Sequence, residues 1–412
     1  MKGNVIVGQS GGPTAAINSS LAGVYRTAID RGAPKVYGML HGIQGLLQEK
    51  YIDLSEHIKS DLDVELLKRT PSAYLGSCRF KLPEIHEGAD DYDKIFAILD
   101  KLDIESFIYI GGNDSMDTIK KLSDYAIIKG YPTKFIGVPK TIDNDLALTD
   151  HTPGYGSAAK YIGTSTKEII RDSNALIYDK GLVTIIEIMG RNAGWLTGAA
   201  ALSAGEDCDG PDLIYLPEVP FDMDDFIDRV KKLLKTKGSV VAAVSEGIKL
   251  ADGRYVCELT DGIDFVDAFG HKQLTGTANY LARRISQEIG SKTRGLELST
   301  LQRSASHLAS RVDVLEAFQV GGAAVKAADE GDTGEMVILK RISDDPYQCT
   351  TELRNVHKVS NVEKTVPREW ITKDGTYVTD EFIGYVRPLI QGDLAPVMVD
   401  GIPRHLYHKK AW

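Results

Sequence analysis

The sequence predicts an α/β protein made of two Rossmann-like, doubly wound domains with largely parallel sheets. Short apolar runs alternate with helical patterns through much of the 412 residues, which is typical of doubly wound sheets. The apolar runs are nearly continuous, as expected for parallel strands that are covered on both faces. The length suits about two or three domains of ordinary size.

The strand candidates are β-branched and apolar runs at 4–7, 36–39, 107–110, 135–138, 182–188, 213–216 and 239–244. Residues 14–31 are predicted to form a helix, because apolar residues recur on one face and Gly32 would end it. Residues 222–237 are predicted to form another, because acids at its start and lysines at its end complement the helix dipole. From about Asp344 onward the pattern changes to short polar pieces that predict little.

The composition excludes several classes of protein. A formal net charge of −10 argues against nucleic-acid binding, which needs a basic face to neutralise phosphates. No run is long and apolar enough to span a membrane, and the first residues lack the apolar core of a signal peptide. The cysteines lie far apart and form no C-x-x-C pair, so we expect a reducing cytoplasm and neither disulfides nor a zinc site: Cys78, Cys208, Cys257 and Cys349.

Two polar loops carry the most information about chemistry. Gly111–Ser115 follows one predicted strand, and Pro139–Asp145 follows the next. Loops at the ends of neighbouring parallel strands open onto one cleft. The first loop offers backbone amides and side-chain oxygens, whereas the second offers a lysine and acids. This equipment indicates transfer of a phosphoryl group to a hydroxyl.

The first predicted turn, Gln9–Thr14, contains the glycine pair Gly11 and Gly12. Its amides and the following helix N-terminus could bind an anion, or the glycines could simply form a tight turn. No Gly-Lys-Ser/Thr follows, so it is not a Walker motif. The missing G-x-G-x-x-G argues against an NAD-dependent dehydrogenase.

Four further motifs join these three loops in order along the chain: Leu75–Phe80, Glu187–Gly194, Ser245–Gly247 and Thr300–Arg303. Together they resemble the phosphofructokinase family, from the N-terminus to about Gly322. The resemblance implies an active site in the cleft between the two domains. It also implies a phosphoryl-donor domain, residues 1–153 plus part of 304–345, and a fructose 6-phosphate-binding domain, residues 154–303 plus part of 346–412.

Two positions make the chain resemble the pyrophosphate-using members of that family. ATP-using members typically carry glycines where this chain has Asp114 and Lys140. The Asp114 carboxylate would occupy the space of the α-phosphate of ATP and repel it. The Lys140 ammonium would compensate the negative charge of the pyrophosphate during phosphoryl transfer. In isolation, Asp114 could be a turn former and Lys140 a solvated surface lysine.

The resemblance also implies roles on the donor side. Asp143 would be the catalytic base that accepts the proton of the sugar 1-hydroxyl. Lys140, Asp114 and Thr141 would complete the catalytic group. The diphosphate would be bound by Gly11, Gly12, Arg79 and Lys140. Asn113 would ligate Mg²⁺ through a neutral oxygen, where family members often have an aspartate, so the ion would be held more weakly.

On the acceptor side, the resemblance implies that the substrate contacts Thr141, Ile142, Asp143, Met189, Gly190, Arg191, Glu246, Arg294, Thr300 and Arg303. Arg294 and Arg303 would clamp the 6-phosphate as forked donors. In the family the arginine that matches Arg294 comes from a neighbouring subunit. A homodimer or homotetramer with shared sites is therefore implied.

Three departures from the family pattern bear on these roles. Thr300 stands where the family usually has a histidine that contacts phosphate. Leu182, with Lys180 nearby, replaces an arginine that reaches across subunits. Ala22 and Arg26 match two effector-binding arginines of allosteric members, so we expect little allosteric control.

The expected reaction is reversible transfer from diphosphate to the 1-hydroxyl of D-fructose 6-phosphate, giving D-fructose 1,6-bisphosphate and phosphate. It would require Mg²⁺ and small-molecule substrates only. Two alternatives stay open: an ATP-dependent phosphofructokinase and a non-catalytic sugar-phosphate-binding subunit of the same family. Another acceptor, such as sedoheptulose 7-phosphate, also stays open.

Overall fold

A computed structural model describes residues 1–177, 181–259 and 274–407. The chain divides into two compact units. The first takes in Met1–Ser157, Arg303–Glu363 and Gln391–Trp412, and the second takes in Ala158–Gln302 and Lys364–Ile390. The first stretch of the first unit ends at Ser157, four residues beyond residue 153, where we expected the donor domain to end. Arg303 also belongs to the first unit. Among the described residues, no helix is both long and apolar enough to cross a membrane.

The strands are β1 (Asn4–Gln9), β2 (Val36–Met39), β3 (Tyr51–Asp53), β4 (Ile104–Gly111), β5 (Lys134–Pro139), β6 (Leu182–Ile188), β7 (Leu213–Tyr215), β8 (Ser239–Ser245), β9 (Lys292–Glu297), β10 (Glu335–Asp344), β11 (Tyr347–Asn355), β12 (Met398–Val399) and β13 (Ile402–Pro403). The helices are α1 (Ile17–Asp30), α2 (Gly42–Leu46), α3 (Asp61–Arg69), α4 (Ala89–Lys101), α5 (Asn113–Lys129), α6 (Tyr155–Ala175), α7 (Trp195–Gly198), α8 (Met223–Lys237), α9 (Thr277–Ile289), α10 (Leu301–Ser304), α11 (Arg311–Glu330) and α12 (Asp380–Val386).

The first unit is built on a sheet of order β11-β10-β5-β4-β1-β2-β3. The strands β10, β5, β4, β1 and β2 are parallel, and the edge strands β3 and β11 run antiparallel to their neighbours. Strand order reverses between β1 and β4. A doubly wound sheet binds ligands beyond the carboxyl ends of its strands at such a point. The loops after β1, β4 and β5 therefore share one edge of the sheet.

Helices α1 and α11 pack closely on one face of this sheet. A Cβ on Gly23 would lie 2.1 Å from the carbonyl oxygen of Phe318, and one on Gly321 would lie 2.1 Å from that of Ser20. Only glycine permits this approach of two helix backbones. Helix α1 begins later than expected, at Ile17, because the Thr14 hydroxyl accepts hydrogen bonds from the amides of Ala16 and Ile17.

The second unit contains a parallel sheet of order β7-β8-β6-β9. Strands β6 and β8 are buried along their whole length. Helix α8 matches its predicted span. Asp222 caps its N-terminus by accepting from the amides of Asp224 and Asp225, and Gly238 ends it at φ +71°.

All the strand candidates are strands in the structure, which confirms the predicted fold class of two Rossmann-like units with mostly parallel sheets. Strands β3, β9, β10, β11, β12 and β13 were not predicted. β9 carries mainly polar, partly exposed side chains at a sheet edge. β10 and β11 form a hairpin, in which β10 begins with the short buried apolar run Met336–Leu339 and then becomes polar, whereas β11 shows no continuous apolar run.

Candidate active site

The glycine loop, residues 9–14, lies between β1 and α1 in the first unit. Gly11 has φ +76°, a conformation that favours glycine. Its amide donates to the carbonyl of Cys78 at 3.3 Å, and its carbonyl accepts from the Ser77 hydroxyl. The predicted motif at 75–80 therefore fixes the shape of the glycine loop.

Two cations lie directly over these glycines. A Cβ on Gly11 would lie 3.0 Å from Lys140 Nζ, and one on Gly12 would lie 3.6 Å from Arg303 Nη1. Lys140 Nζ also donates to the carbonyl oxygen of Gly12 at 2.8 Å. The absent side chains leave a cradle in which backbone and positive charge are both close. This arrangement suits a small, highly charged anion.

Lys140 is buried, with 2% of its surface exposed. The pKa of its ammonium is lowered to about 8, mainly by burial and also by the nearby charges of Arg303 and Arg79, against the opposing effect of Asp143 and Asp145. An arriving anion would favour the charged form of this lysine. An anion bound beside Lys140 would therefore be stabilised by its charge, whereas another cation would be repelled.

The donor-side loop, residues 139–154, follows β5. The Thr141 hydroxyl donates to Asp143 Oδ2 at 3.2 Å and accepts from the Asp143 amide at 3.1 Å. Ile142 is buried, whereas Asp143 is half-buried and accessible to a substrate proton. Burial raises the pKa of Asp145, and the nearby carboxylates of Asp143 and Glu363 raise it further. Asp145 is therefore protonated more readily than an ordinary aspartate.

Residues that were not predicted hold the end of the donor-side loop. The Thr152 hydroxyl donates to the carbonyl of Thr141 at 2.7 Å, and the Thr152 amide donates to Asn144 Oδ1 at 3.1 Å. The ring of His151 lies between two carboxylates, 2.7 Å from Asp150 Oδ2 and 2.7 Å from Glu316 Oε2. Asn144 stands inside the predicted motif, but no pattern in the sequence marks His151 or its partners.

Asn113 and Asp114 form the first turn of α5, immediately after Gly112. A Cβ on Gly111 would lie 1.8 Å from Ser115 Oγ, so glycine is required for this turn. The Oδ1 atom of Asn113 is buried, and no hydrogen-bond partner for it is found within the described ranges. An unsatisfied buried oxygen is costly and suits a cation.

The residues present therefore fit Mg²⁺, with Asn113 as the ligand that the structure supports. In the described parts of the chain, no group of three or more His, Cys, Asp or Glu side chains could hold a metal alone. Magnesium commonly takes few protein ligands and completes its coordination with water and substrate phosphate.

The acceptor-side loop, residues 189–194, follows β6 in the second unit. The Met189 amide donates to Gln302 Oε1 at 3.2 Å, and the Gly190 amide donates to Glu246 Oε1 at 3.4 Å. A Cβ on Gly247 would lie 2.0 Å from the carbonyl oxygen of Arg191. The predicted residues Met189, Gly190, Arg191 and Glu246 are thus brought together. Gln302 was missed, although it stands next to Arg303 in a predicted motif.

Within a single chain, Arg294 and Thr300 lie at some distance from the acceptor-side loop. Arg294 pairs in register with Thr184, five residues before Met189, which is about 16 Å along a strand. Its guanidinium donates to Asp172 Oδ2 at 2.8 Å and lines a cavity of about 330 Å³ on the α6 face. Thr300 is exposed between β9 and α10. A role of either residue at the sugar phosphate stays a prediction.

The remaining residues that the sequence singled out lie as follows. Arg303 was expected at the acceptor side, and the structure places its guanidinium beside Gly12 in the first unit. Arg79 is exposed, and its charge acts on Lys140. Leu182 is buried at the start of β6, whereas Lys180 lies outside the described residues.

Comparisons with known proteins extend this picture. A family model described as phosphofructokinase matches residues 4–328. A pyrophosphate–fructose 6-phosphate 1-phosphotransferase of Halomonas elongata is 41% identical over 403 residues, 97% of this chain and 95% of the relative. An enzyme of the same name from Xanthomonas campestris pv. campestris is 42% identical over 406 residues, which cover 98% of this chain and 96% of the relative. The crystal structure of a pyrophosphate-dependent phosphofructokinase from Nitrosospira multiformis has a TM-score of 0.89 at 36% identity, covering 99% of this chain and 97% of that one.

Proposed function

The chain belongs to the phosphofructokinase family, and from that premise we propose that it is a diphosphate–fructose-6-phosphate 1-phosphotransferase. It transfers a phosphoryl group reversibly from diphosphate to the 1-hydroxyl of D-fructose 6-phosphate. The observation that carries this proposal is the buried ammonium of Lys140 over the glycine loop. The relatives with about 40% identity over nearly the whole chain support the choice of donor and acceptor.

In the forward direction, the 1-oxygen of the sugar forms a bond to phosphorus while the bond from phosphorus to the bridging oxygen breaks. The proton of the hydroxyl moves to the Asp143 carboxylate, which accepts one hydrogen bond from the Thr141 hydroxyl, while the Asp143 amide donates to that hydroxyl. Inorganic phosphate leaves with the electron pair of the broken bond. Lys140 and Arg303 stabilise the charge on the transferring and leaving groups.

Mg²⁺, when bound, neutralises the charge of the diphosphate oxygens. Asn113 Oδ1 would hold it, with the remaining positions filled by water and diphosphate. On the acceptor side, Glu246 and Arg191 would bind the sugar hydroxyls and phosphate beside Met189 and Gly190. Asp114, in the first turn of α5, would exclude the α-phosphate of a nucleotide by charge and bulk.

The finer features of the proposal concern assembly and regulation. The half-exposed Arg294, in an open cavity on the second unit, supports a homodimer or homotetramer in which it serves a neighbouring copy. The absence of allosteric control is supported by Ala22, which is buried, and by Arg26, which pairs with Asp30 and Asp61. Free thiols at all four cysteines support a cytoplasmic setting.

Steady-state rates with diphosphate and with ATP, each with and without Mg²⁺, test the function. We expect Mg²⁺-dependent formation of fructose 1,6-bisphosphate from diphosphate, and its reversal with phosphate. Robust turnover with ATP alone would instead indicate an ATP-dependent enzyme. An inactive, folded chain that binds fructose 6-phosphate would indicate a non-catalytic subunit.

The double variant Asp114→Gly, Lys140→Gly tests the assignment of donor selectivity. We expect kcat/KM for diphosphate to fall by about 10²–10³-fold, as when one preorganised electrostatic group is lost. Activity with ATP, as a fraction of activity with diphosphate, should rise. Unchanged use of diphosphate by a folded variant would remove Lys140 from the catalytic group.

A further inference from the structure

The segment 364–390, here termed the C-terminal segment, lies beyond residue 328, where the family match ends. It belongs to the second unit, together with the acceptor-side loop. Its residues contact the chain immediately after that loop. The role of this segment is therefore open to inference from its contacts.

One carboxylate joins the loop to the segment. Glu218 Oε1 accepts from the Gly194 amide at 2.8 Å and from the Val366 amide at 2.9 Å. A Cβ on Gly194 would lie 2.7 Å from Glu218 Oε2, so the backbone approaches the carboxylate closely. Gly194 and Val366 are both buried, which keeps water away from these bonds.

An aromatic cluster makes the second connection. Trp195 follows the loop directly, and its Nε1 donates to the Lys364 carbonyl at 2.9 Å. The ring of Trp195 stacks on Phe382 and contacts Tyr385 and Trp370, with centroids 5.9, 5.3 and 6.0 Å apart. A Cβ on Gly198 would lie 2.4 Å from the Phe382 ring. The segment thus packs tightly against the short helix α7.

We propose that the C-terminal segment sets the position of the acceptor-side loop, with Glu218 and Trp195 as the positioning residues through which it acts. The inference rests on the proposed role of Met189–Arg191 in binding the sugar phosphate. Glu218 holds the last residue of that loop, and Glu246 and Gln302 hold its first two. The loop is therefore fixed at both ends, and only its C-terminal end, at Gly194, depends on the segment.

The test compares Glu218→Ala with two matched variants. Glu218→Gln keeps an oxygen that can accept from both amides. Asp374→Asn weakens the ion pair of the segment with Arg229, 2.8 Å long, which does not involve the loop. We expect Glu218→Ala to raise KM for fructose 6-phosphate about tenfold, as loss of a hydrogen bond to a charged group predicts, with KM for diphosphate unchanged. Both matched variants should stay within about twofold of the parent, as expected for a modest surface effect.

Amide hydrogen exchange of the peptide covering residues 189–195 gives a readout that does not need turnover. It should be faster in Glu218→Ala than in the parent and unchanged in Asp374→Asn. If the parent chain proves inactive with fructose 6-phosphate, the proposed function fails, and the exchange result alone decides whether the segment positions the loop. Equal exchange in all variants, or an equal rise of KM in Asp374→Asn, would overturn the inference.

Trp195→Phe provides a second variant in case Glu218→Ala does not fold. It keeps an aromatic ring at this position, removes the donor to the Lys364 carbonyl and reduces the contact area with the neighbouring rings. We expect faster exchange at 189–195 and a rise of KM for fructose 6-phosphate by about threefold, as for a neutral hydrogen bond. No change in either quantity would count against the inference.

Discussion

The donor-side loop and the acceptor-side loop are held in place by different forces. Near the end of the donor-side loop, His151 lies buried between the carboxylates of Asp150 and Glu316. The acceptor-side loop is held by hydrogen bonds from its backbone amides and by the aromatic neighbours of Trp195. The first anchor depends on a buried imidazolium between carboxylates and hence on pH, whereas the second depends on apolar packing and on neutral amides that donate to carboxylates.

This difference follows the chemistry of each loop. A loop that carries Lys140, Asp143 and Asp145 already has charges in a partly buried place, and the pKa values of Lys140 and Asp145 respond to the charges around them. A loop that binds a sugar phosphate needs a fixed backbone more than shifted pKa values. We therefore expect catalytic rate and pH dependence to be governed on the donor side, and substrate affinity on the acceptor side.

The largest effect is expected from Asp143→Asn. Loss of a general base lowers kcat by about 10²–10⁴-fold, and KM for fructose 6-phosphate should change little. Asp145→Asn is the matched control, because a raised pKa favours the neutral carboxyl that asparagine resembles. Initial-rate assays of both variants measure the difference in kcat. An equal loss of kcat in the two variants would show that Asp145 acts in its charged form.

The next effect concerns stability and pH. Burial lowers the pKa of His151, but Glu316 and Asp150 outweigh burial and raise it to about 9. Because the folded pKa exceeds the unfolded one, protonation stabilises the folded state fully below about pH 6.5, and this stability is lost as pH rises through about 9. The upper limit of this contribution is roughly 3 kcal/mol. Other groups also face this site: Arg341 donates to Asp150, the Tyr347 hydroxyl donates to Glu316, and Cys349 lies near both.

Melting temperatures of the parent chain and of His151→Gln, measured between pH 6.5 and 9.5, test this expectation. The variant should be clearly less stable near pH 7, because buried Glu316 loses its cation while Asp150 keeps its ion pair with Arg341. The gap should narrow as pH rises towards 9.5. Parallel curves for the two proteins would mean that His151 does not stabilise the donor-side loop by its charge.

The same contrast explains what the sequence could predict. Strands β1, β4, β5, β6 and β8 were predicted because each is buried on both faces and reads as an apolar run. Lys140, Thr141 and Asp143 were predicted together because they are neighbours in one loop. The order of the motifs then indicated the family, which the comparisons confirm.

The anchors could not be predicted in this way. Glu218 acts on backbone amides of two distant segments, and any acid after a strand would look the same in sequence. Arg303 stands one residue after Gln302, yet the two side chains belong to different units. Adjacent residues in a short helix point in different directions, so proximity in sequence could not show that Gln302 and Arg303 belong to different units.

The smallest effect is expected from Trp370→Leu, which tests the aromatic anchor. Trp370 contacts the rings of Trp195 and Tyr385, with centroids 6.0 and 5.2 Å apart. Loss of such ring pairs costs about 1 kcal/mol beyond the lost apolar area. Because these contacts are made between aromatic rings, the decrease in melting temperature should be nearly the same at pH 6.5 and at pH 8.5. Trp370→Phe should retain most of the stability, and a loss that grows with pH would show that the acceptor side also depends on charge.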